Sequence, residues 1–228
     1  MFILNPLPPQ IPTNVITLLE QVETATVGHI LHTGFVDPSI HAILPDRRVA
    51  GTAVTVRVPH ADSALLNHVT RFIRPGDIVV VDRCGDVRHA CWGGMTSHAV
   101  QLAGGKAAVI DGPATDFSET RRIGFPIWCR GPSPITTKML GIGGEFNVPV
   151  SIGGQIVEPG DAILCDESGI LVLKPSEALE TAKTAIRMQE NELEILDRIR
   201  RGEILPEISG ASRLVEAALQ RNSGTEPV

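Results

Sequence analysis

The sequence lacks the features of several large classes of protein. Its formal charge is −6, so it has no excess of basic residues to neutralise a phosphate backbone, and we expect no direct binding to nucleic acid. No apolar run approaches the roughly 20 residues that span a bilayer, so we expect no membrane association. The opening MFILNPLPPQIP has no basic segment and is soon interrupted by prolines, so a signal peptide is not expected.

Cysteine is scarce as well, and its distribution argues against a disulfide framework. The four residues are Cys84, Cys91, Cys129 and Cys165, and no two of them form a CxxC pair. A chain of 228 residues can bury a full core without covalent staples. Because free thiols suit a reducing compartment, we expect a soluble, cytoplasmic protein.

One short segment of the sequence does contain four possible zinc ligands. Cys84, His89, Cys91 and His98 follow one another as C-x4-H-x-C-x6-H, a spacing that matches no usual zinc knuckle. Buried thiols and surface histidines explain the window better than structural zinc does. Ser97 and His98 are not expected to form a dyad either, because adjacent helical positions point about 100° apart.

The order of the predicted elements indicates an α/β fold. The first elements are two helices, a strand and a third helix, over 12–22, 24–32, 51–58 and 63–72. The segment PGDIVVVD, 75–82, returns as PGDAILCD, 159–166. In each, a Pro-Gly turn precedes a short apolar strand that ends on an acid, and we interpret them as independent turn and strand units rather than an internal repeat. Strands alternate with helices between them, which indicates a partly parallel sheet with helical crossovers.

The remaining segments complete this outline. The glycine-rich 141–154 contains no GK[ST], so we predict loops and hairpin turns there rather than a phosphate-binding loop. A long helix is predicted over about 176–201, with ion pairs between Glu194 and Arg198 and between Asp197 and Arg201. We expect one domain over 1–228, with a core of about 24–175 and a helical extension of about 176–228.

Acids follow two of the predicted strands, and they raise the main question about function. Asp82 and Asp86 follow the first strand, and VIDGPATDF places Asp111 and Asp116 after the second. If these strands are neighbours, the acids meet at the carboxyl ends of the sheet, where ligands bind in open α/β folds. Clustered carboxylates favour Mg²⁺ or Mn²⁺ with an anionic substrate. The alternative is that Asp116 only caps the helix that follows.

The glycines of CWGGMTS admit two interpretations. They precede a predicted helix, whose exposed N–H groups and positive dipole end suit a carboxylate or a phosphate. The other interpretation is a tight turn that lets a strand and a helix approach closely. The residues alone leave both open.

Several motifs resemble the RraA-like family, in sequence and in order. They are AGTAVTV, PGDIVVVD, GDVRHACWGG, VIDGPATDFSETRRIGFPIWCRG, NVPVSIGGQIVEPGDAILCDESGILVLKP and NELEILDRIRRGE. The resemblance covers about residues 24–205. The family includes 4-hydroxy-4-methyl-2-oxoglutarate and 4-carboxy-4-hydroxy-2-oxoadipate aldolases, which also decarboxylate oxaloacetate, and the regulator of ribonuclease E activity.

The resemblance implies both a fold and an assembly. The expected fold is a swivelling β/β/α sandwich with N-terminal helices and a long C-terminal helix. The expected assembly is a homotrimer that can pair into a hexamer, with active sites between subunits.

The resemblance also implies a set of site residues. Asp116 would bind Mg²⁺ or Mn²⁺, whose other ligands are waters. The carboxylate of a 2-oxo acid would lie on backbone N–H groups of the loop segment Gly93, Gly94, Met95 and Thr96. Glu192 would approach the metal's water shell from the C-terminal helix of an adjoining subunit.

Two positions depart from the family's aldolases. Thr115 stands where they have an arginine that polarises the keto oxygen, and Gly94 stands where they have an acid. Losing a preorganised donor to a developing oxyanion typically costs about 3 kcal/mol. The catalytic candidates are therefore Thr115 itself, Glu192, and an arginine that arrives from another position. Arg83, Arg88, Arg121 and Arg122 all lie near these loops in sequence, and we select Arg88.

The expected function is a divalent-metal-dependent lyase that cleaves or decarboxylates a 2-oxo acid to pyruvate. One alternative is a non-enzymatic binding protein of the ribonuclease-regulator type, which Thr115 favours and Asp116 disfavours. Another is a different metal-assisted reaction on an oxo acid, such as hydration or tautomerisation.

Overall fold

The computed structural model describes residues 1–222. The strands in this range are β1 (Phe2–Leu4), β2 (His41–Ala42), β3 (Val49–Arg57), β4 (Asp77–Asp82), β5 (Ala107–Asp111), β6 (Ile127–Cys129), β7 (Gly144–Phe146), β8 (Val150–Ile152), β9 (Gln155–Val157), β10 (Ala162–Cys165) and β11 (Ile170–Leu173). The helices are α1 (Thr13–Leu19), α2 (Thr24–Gly28), α3 (Ala64–Val69), α4 (Gly94–Leu102), α5 (Phe117–Ile123), α6 (Pro175–Arg200), α7 (Leu205–Ile208) and α8 (Ala211–Asn222). A 3₁₀ turn, Thr70–Phe72, follows α3.

The chain divides into two compact units, Met1–Ala185 and Ile186–Val228, and α6 begins in the first and continues into the second. The first unit contains all the strands described and helices α1 to α5. The second contains α7 and α8, which contact each other. No helix in residues 1–222 combines the length and the apolar character needed to cross a membrane.

The main sheet is mixed, with a parallel centre. Its order is β1-β7-β3-β4-β5-β6-β2, and β10 joins β3 and continues to β11. The pairs β3 with β4, β4 with β5, and β5 with β6 are parallel, while β10 and β7 run antiparallel to β3. Strands β3 and β4 are buried almost throughout, as expected for parallel strands covered on both faces.

The two faces of the sheet bury different layers. Along β4, Val79 and Val81 belong to the apolar core that includes α3 and α4, whereas Ile78 and Val80 belong to the core that includes β8 and β9. This division follows from the alternation of side chains along a strand. The result is a layer of helices, a central sheet and a second layer of strands, so the predicted α/β architecture is confirmed.

The two PGD segments share a local construction. In the first, the Asp77 carboxylate accepts the Arg74 N–H at 2.8 Å, and in the second the Asp161 carboxylate accepts the Glu158 N–H at 2.8 Å. The glycine before each acid has a positive φ, 92° at Gly76 and 95° at Gly160. The strands that follow pair with β3 in opposite directions. The similarity of the two PGD segments therefore reflects one type of turn that occurs twice, as predicted.

Several predicted boundaries need correction. The first two helices are shorter than predicted, because α1 ends at Leu19 and α2 ends at Gly28. The glycine-rich 141–154 contains two short strands, β7 and β8, as well as turns. The single domain over 1–228 stays a prediction, and residues 223–228 of its helical extension lie outside the described residues.

The long C-terminal helix is confirmed as α6. Its buried residues are Ala178, Ala182 and Ala185, all near its beginning. The predicted ion pairs within the helix are wrong. The Arg198 guanidinium pairs with Glu203 beyond the end of α6, at 2.8 Å. Asp197 pairs with Arg200, at 3.2 Å. The turn after the helix places Glu203 Oε2 where two N–H groups of Arg198 can bond to it, and this partner competes with Glu194 one helical turn away.

The turn at Gly76 gives a test of the fold. A Cβ at this position would meet nothing closer than 3.8 Å, so Gly76→Ala adds left-handed backbone strain without a clash. We expect the free energy of unfolding to fall by about 1–2 kcal/mol, measured by urea denaturation. Gly28→Ala is the control, since Gly28 lies in α2 and has no positive φ. Equal stabilities for the two variants would contradict this account.

Candidate functional site

The loops that follow β4 and β5 are joined to each other. Trp92 and Ala114 form an isolated parallel bridge, and the Thr115 N–H donates to the Trp92 carbonyl at 2.9 Å. The Trp92 ring is fully buried and stacks on Phe125, with ring centroids 6.2 Å apart. This anchor places the Gly93–Gly94 segment directly beside Thr115 and Asp116.

Ser97 fixes the backbone where α4 begins. Its hydroxyl accepts the Trp92 ring N–H at 2.9 Å and donates to the Gly93 carbonyl at 2.9 Å. Both hydrogen bonds hold the loop and neither involves His98, so Ser97 and His98 do not form a dyad, as predicted. The N–H groups in the first turn of α4 lack partners within the helix and point out of its beginning.

Asp116 occupies the N-cap position of α5 but does not cap that helix. Its backbone is left-handed, with φ 57° and ψ 37°, and its side chain makes no capping hydrogen bond. Instead its Oδ2 accepts the Gly94 N–H at 3.0 Å, across the gap between the two loops. The cap interpretation is therefore wrong. The exposed carboxylate faces the beginning of α4, and its Oδ1 has only a long contact with the Thr115 hydroxyl, 3.4 Å.

The glycines leave room for this contact. A Cβ at Gly93 would lie 2.6 Å from Asp116 Oδ2 and 2.9 Å from the Thr115 methyl carbon. A Cβ at Gly94 would lie 2.9 Å from Glu119 Cγ. The close-approach interpretation of CWGGMTS is therefore confirmed, and the anion-binding interpretation stays a prediction. The next two residues differ, since Met95 is 82% exposed and Thr96 is buried.

The other acids considered for the site do not converge with Asp116. Asp82 accepts the Cys84 N–H and pairs with Arg57. Asp111 pairs with Arg130 at 2.5 Å and accepts the Gly153 N–H at 2.8 Å. Each carboxylate is used to hold its own surroundings.

Asp86 shapes the turn that carries Arg88. Its Oδ1 accepts the N–H groups of Arg88 and His89 at 2.8 and 3.0 Å, and its Oδ2 accepts from the His89 ring at 2.8 Å. Burial alone would raise the pKa of Asp86, but these hydrogen bonds and the Arg83 guanidinium lower it to about 2. Asp86 is therefore a structural carboxylate.

Of the four arginines near the loops, Arg88 has neither an ion pair nor a ring contact of its side chain in the described part of the chain. Arg83 is fully buried and donates to the Val58 carbonyl at 3.0 Å and to the His60 carbonyl. The guanidinium of Arg121 lies over the Phe117 ring. Arg122 pairs with Glu119, so its guanidinium is also engaged by another residue.

The backbone of Arg88 lies beside the Thr115 loop. Its carbonyl accepts the Ser133 hydroxyl at 2.6 Å, and the Ser133 N–H donates to the Ala114 carbonyl at 3.0 Å. Ser133, on a third loop, therefore connects the Arg88 backbone to Ala114, the residue before Thr115. The exposed Arg88 side chain starts from the rim of the candidate site.

The zinc interpretation finds no support in the described residues, where no group of three or more His, Cys, Asp or Glu side chains could hold a metal ion. Cys91 is buried, and burial raises the pKa of its thiol to about 11. His89 and His98 bond to different carboxylates. Glu192 lies on α6 in the second compact unit, and its side chain is exposed.

The sequence did not predict that His98 pairs with Glu119 near Asp116. His98 Nε2 and Glu119 Oε1 lie 2.6 Å apart, although 20 residues separate them in the chain. The spacing of Asp116 and Glu119 was a usable signal, because positions i and i+3 share one face of a helix. His98 gave none, because its partner is determined by the packing of α4 on α5.

Comparison with known proteins agrees with this architecture. The model of the RraA-like family, described as Aldolase/RraA, matches residues 22–172. An uncharacterized protein of Methanocaldococcus jannaschii is 33% identical over 172 residues, which are 74% of this chain and 82% of that protein.

The chain belongs to the RraA-like family. The crystal structure of Streptomyces coelicolor RraAS2, an unusual member of the RNase ES inhibitor RraA protein family, has a TM-score of 0.71 at 27% identity. The match covers 83% of this chain and 98% of that one. The 4-hydroxy-4-methyl-2-oxoglutarate aldolase of Thermus thermophilus is 32% identical over 126 residues, 55% of this chain and 76% of that protein.

Membership in the RraA-like family confirms the predicted sandwich with N-terminal helices and a long C-terminal helix. Its members include a protein named as an aldolase and others named as inhibitors of RNA processing. Fold and family therefore do not determine the reaction of this RraA-like chain, which depends on the residues of its own site.

Asp86 gives a pH-dependent test of the loop. Its pKa falls from an ordinary 3.8 in the unfolded chain to about 2 in the folded one. The ionised carboxylate therefore adds stability that is complete above the unfolded pKa and lost as the pH falls through the folded one. Against Asp86→Asn, we expect an advantage of about 2 kcal/mol near neutral pH.

The measurement is urea denaturation of both proteins across a series of pH values. The difference should shrink from pH 3.8 downward and vanish near the folded pKa of about 2. A difference that stays constant over this range would show that the charge of Asp86 does not contribute.

Proposed function

We propose that this protein is a divalent-metal-dependent lyase that acts on a 2-oxo acid, by retro-aldol cleavage or by decarboxylation to pyruvate. The observation that carries the proposal is the conformation of Asp116. Its left-handed backbone turns the carboxylate from its own helix to the Gly94 N–H. A non-Gly residue in this region stores backbone strain, which is common at functional sites.

The residues fit a hard cation held mainly by water and substrate. The described part of the chain has no three-ligand cluster, so a cation at Asp116 would take one protein carboxylate, an arrangement familiar for Mg²⁺. Asp116 is exposed, and among the described residues its Oδ1 has only the 3.4 Å contact with the Thr115 hydroxyl. When bound, Mg²⁺ or Mn²⁺ supplies Lewis acidity toward the keto oxygen.

The beginning of α4 would bind the substrate carboxylate. Backbone N–H groups of Met95 and Thr96 lie in the first turn, beside the Gly94 N–H that Asp116 accepts, and the helix dipole there favours an anion. Gly93 and Gly94 have no side chain to obstruct the approach. The arrangement orients a 2-oxo acid with its keto group toward Asp116.

Arg88 and Thr115 would complete the polar surroundings of the keto oxygen. The Thr115 hydroxyl is a neutral donor on the loop itself, weaker than a guanidinium. Arg88 can supply the guanidinium from the neighbouring loop, to which Ser133 connects it. A donor aimed at a developing oxyanion stabilises the transition state by about 3 kcal/mol. The cleavage reaction therefore depends on whether the Arg88 guanidinium replaces the arginine that Thr115 lacks.

The proposal includes a homotrimer, or a hexamer of paired trimers, acting in the cytoplasm on a small molecule without nucleic acid or membrane. Apolar side chains of α4 support an interface, because Met95 and Leu102 are 82% and 87% exposed within one chain. Glu192 of an adjoining subunit would then reach the water around the metal.

A second candidate is a binding protein that regulates a ribonuclease. Thr115 favours it, because a regulator needs no arginine at the keto oxygen, and a solved relative is described as an unusual member of the RNase ES inhibitor RraA protein family. Co-purification with a ribonuclease, by a protein that neither binds Mn²⁺ nor turns over any oxo acid, would establish this candidate instead.

Asp116→Ala tests the proposed reaction. The expected result is loss of metal-dependent pyruvate formation from oxaloacetate or a related oxo acid by about 100-fold or more, since the metal contributes several kcal/mol. Asp46→Ala is a matched control, because Asp46 is also exposed and has φ 56° against 57° at Asp116. Wild-type protein without turnover across a panel of oxo acids, with Mg²⁺ or Mn²⁺ present, would refute the lyase.

Gly93→Ala tests the contact between the loops. The new methyl group must displace the Asp116 carboxylate, whereas the extended backbone of Gly93, φ −151°, accepts alanine without strain. We expect Mn²⁺ affinity by calorimetry to fall about 10-fold or more, with stability nearly unchanged. Unchanged affinity would show that Asp116 does not need this position.

A further inference from the structure

Beside Asp116, α4 and α5 hold a chain of three charged or titratable side chains. His98 Nε2 lies 2.6 Å from Glu119 Oε1. Arg122 holds the same carboxylate with two bonds, from Nε to Oε2 at 2.8 Å and from Nη2 to Oε1 at 2.6 Å. We call His98, Glu119 and Arg122 the relay.

The relay lies next to the candidate site because Gly94 has no side chain. Glu119 Cγ is 2.9 Å from the position of a Cβ at Gly94, and Asp116 Cβ is 3.6 Å from the same point. His98 is four residues after Gly94 and thus on the same face of α4. Side chains on a helix lean toward its N-terminus, so the imidazole lies over the first turn, where we place the substrate carboxylate.

Glu119 joins α4 to α5 through side chains and binds no backbone group in the described structure. All its hydrogen bonds in the described structure are to the side chains of Arg122 and His98. Asp86, which also binds a histidine, holds two backbone N–H groups as well. In the relay, the Glu119 carboxylate therefore binds the His98 imidazole on one side and the Arg122 guanidinium on the other.

The charges determine which ring nitrogen is free. Hydrogen bonds from Arg122 and then from His98 lower the pKa of Glu119 to about 2, so the carboxylate is ionised and only accepts. Nε2 of His98 must then carry a proton, and Nδ1 holds the lone pair of the neutral ring. This is the arrangement in which a carboxylate orients a histidine for proton transfer.

We propose that His98 is the acid–base group of this site, that Glu119 and Arg122 are its positioning residues, and that together they move the proton at C3 of the 2-oxo acid. The inference rests on the proposed function. In decarboxylation, the bond between C3 and the departing carboxylate breaks, its electron pair forms the enolate, and protonated His98 gives its proton to C3. In enolisation of pyruvate, neutral His98 takes a C3 proton, which then exchanges with solvent.

The test follows exchange of the C3 protons of pyruvate with D₂O by proton NMR, with Mg²⁺ present. His98→Gln should lower the exchange rate by about 100-fold or more, the usual contribution of general acid–base catalysis. Added imidazole should restore part of the rate in His98→Ala. Glu119→Gln should lower kcat at unchanged KM. His68→Gln is the control, since His68 is exposed on α3, edge-on to Phe72.

Mn²⁺ affinity, measured by calorimetry, separates the relay from the metal site. His98→Gln should bind Mn²⁺ as the wild type does, and Asp116→Ala should not. If the wild type exchanges protons and His98→Gln matches it, the relay is refuted while the proposed function stands. If the wild type neither exchanges protons nor cleaves any oxo acid, both are refuted.

Discussion

The structure depends on carboxylates that bind backbone N–H groups where the chain turns into or out of the sheet. Asp77 does so at the start of β4, Asp161 before β10, Asp86 after β4, and Asp166 after β10, where it also accepts the Thr24 hydroxyl at 2.6 Å. A buried N–H left without a partner costs about 1–3 kcal/mol. These bonds hold the loops in register, so that Trp92 can meet Ala114 and bring the site together.

Asp116 departs from this pattern in one respect. Asp166 also binds a distant N–H, that of Thr24, but its carboxylate is buried, whereas Asp116 binds an N–H 22 residues away, on the neighbouring loop, and is exposed. It therefore joins two loops through a charge that still faces solvent. In the proposed site, backbone N–H groups and one carboxylate would bind metal and substrate, and neither depends on the side chain at Thr115.

Elements that depend on a few neighbouring residues could be predicted from the sequence. A Pro-Gly turn, an apolar run and a closing acid identify β4 and β10, since each feature acts within a few residues. The conformation of Asp116 could not be predicted, because an aspartate before a helix usually caps it. The bridge between Trp92 and Ala114 overrides that preference. The pairing of His98 with Glu119 also follows from packing alone, since nothing near His98 in the sequence marks its partner.

The missing side chain at Gly94 has a consequence for relatives of this protein. Positions 94 and 119 share one volume, because Glu119 Cγ occupies the space that a larger residue at 94 would need. A carboxylate can reach this volume from the loop or from α5, but not from both. An acid at position 94 should therefore occur together with a short side chain at 119, and sequences that exchange one for the other would move the same negative charge between two elements of the fold.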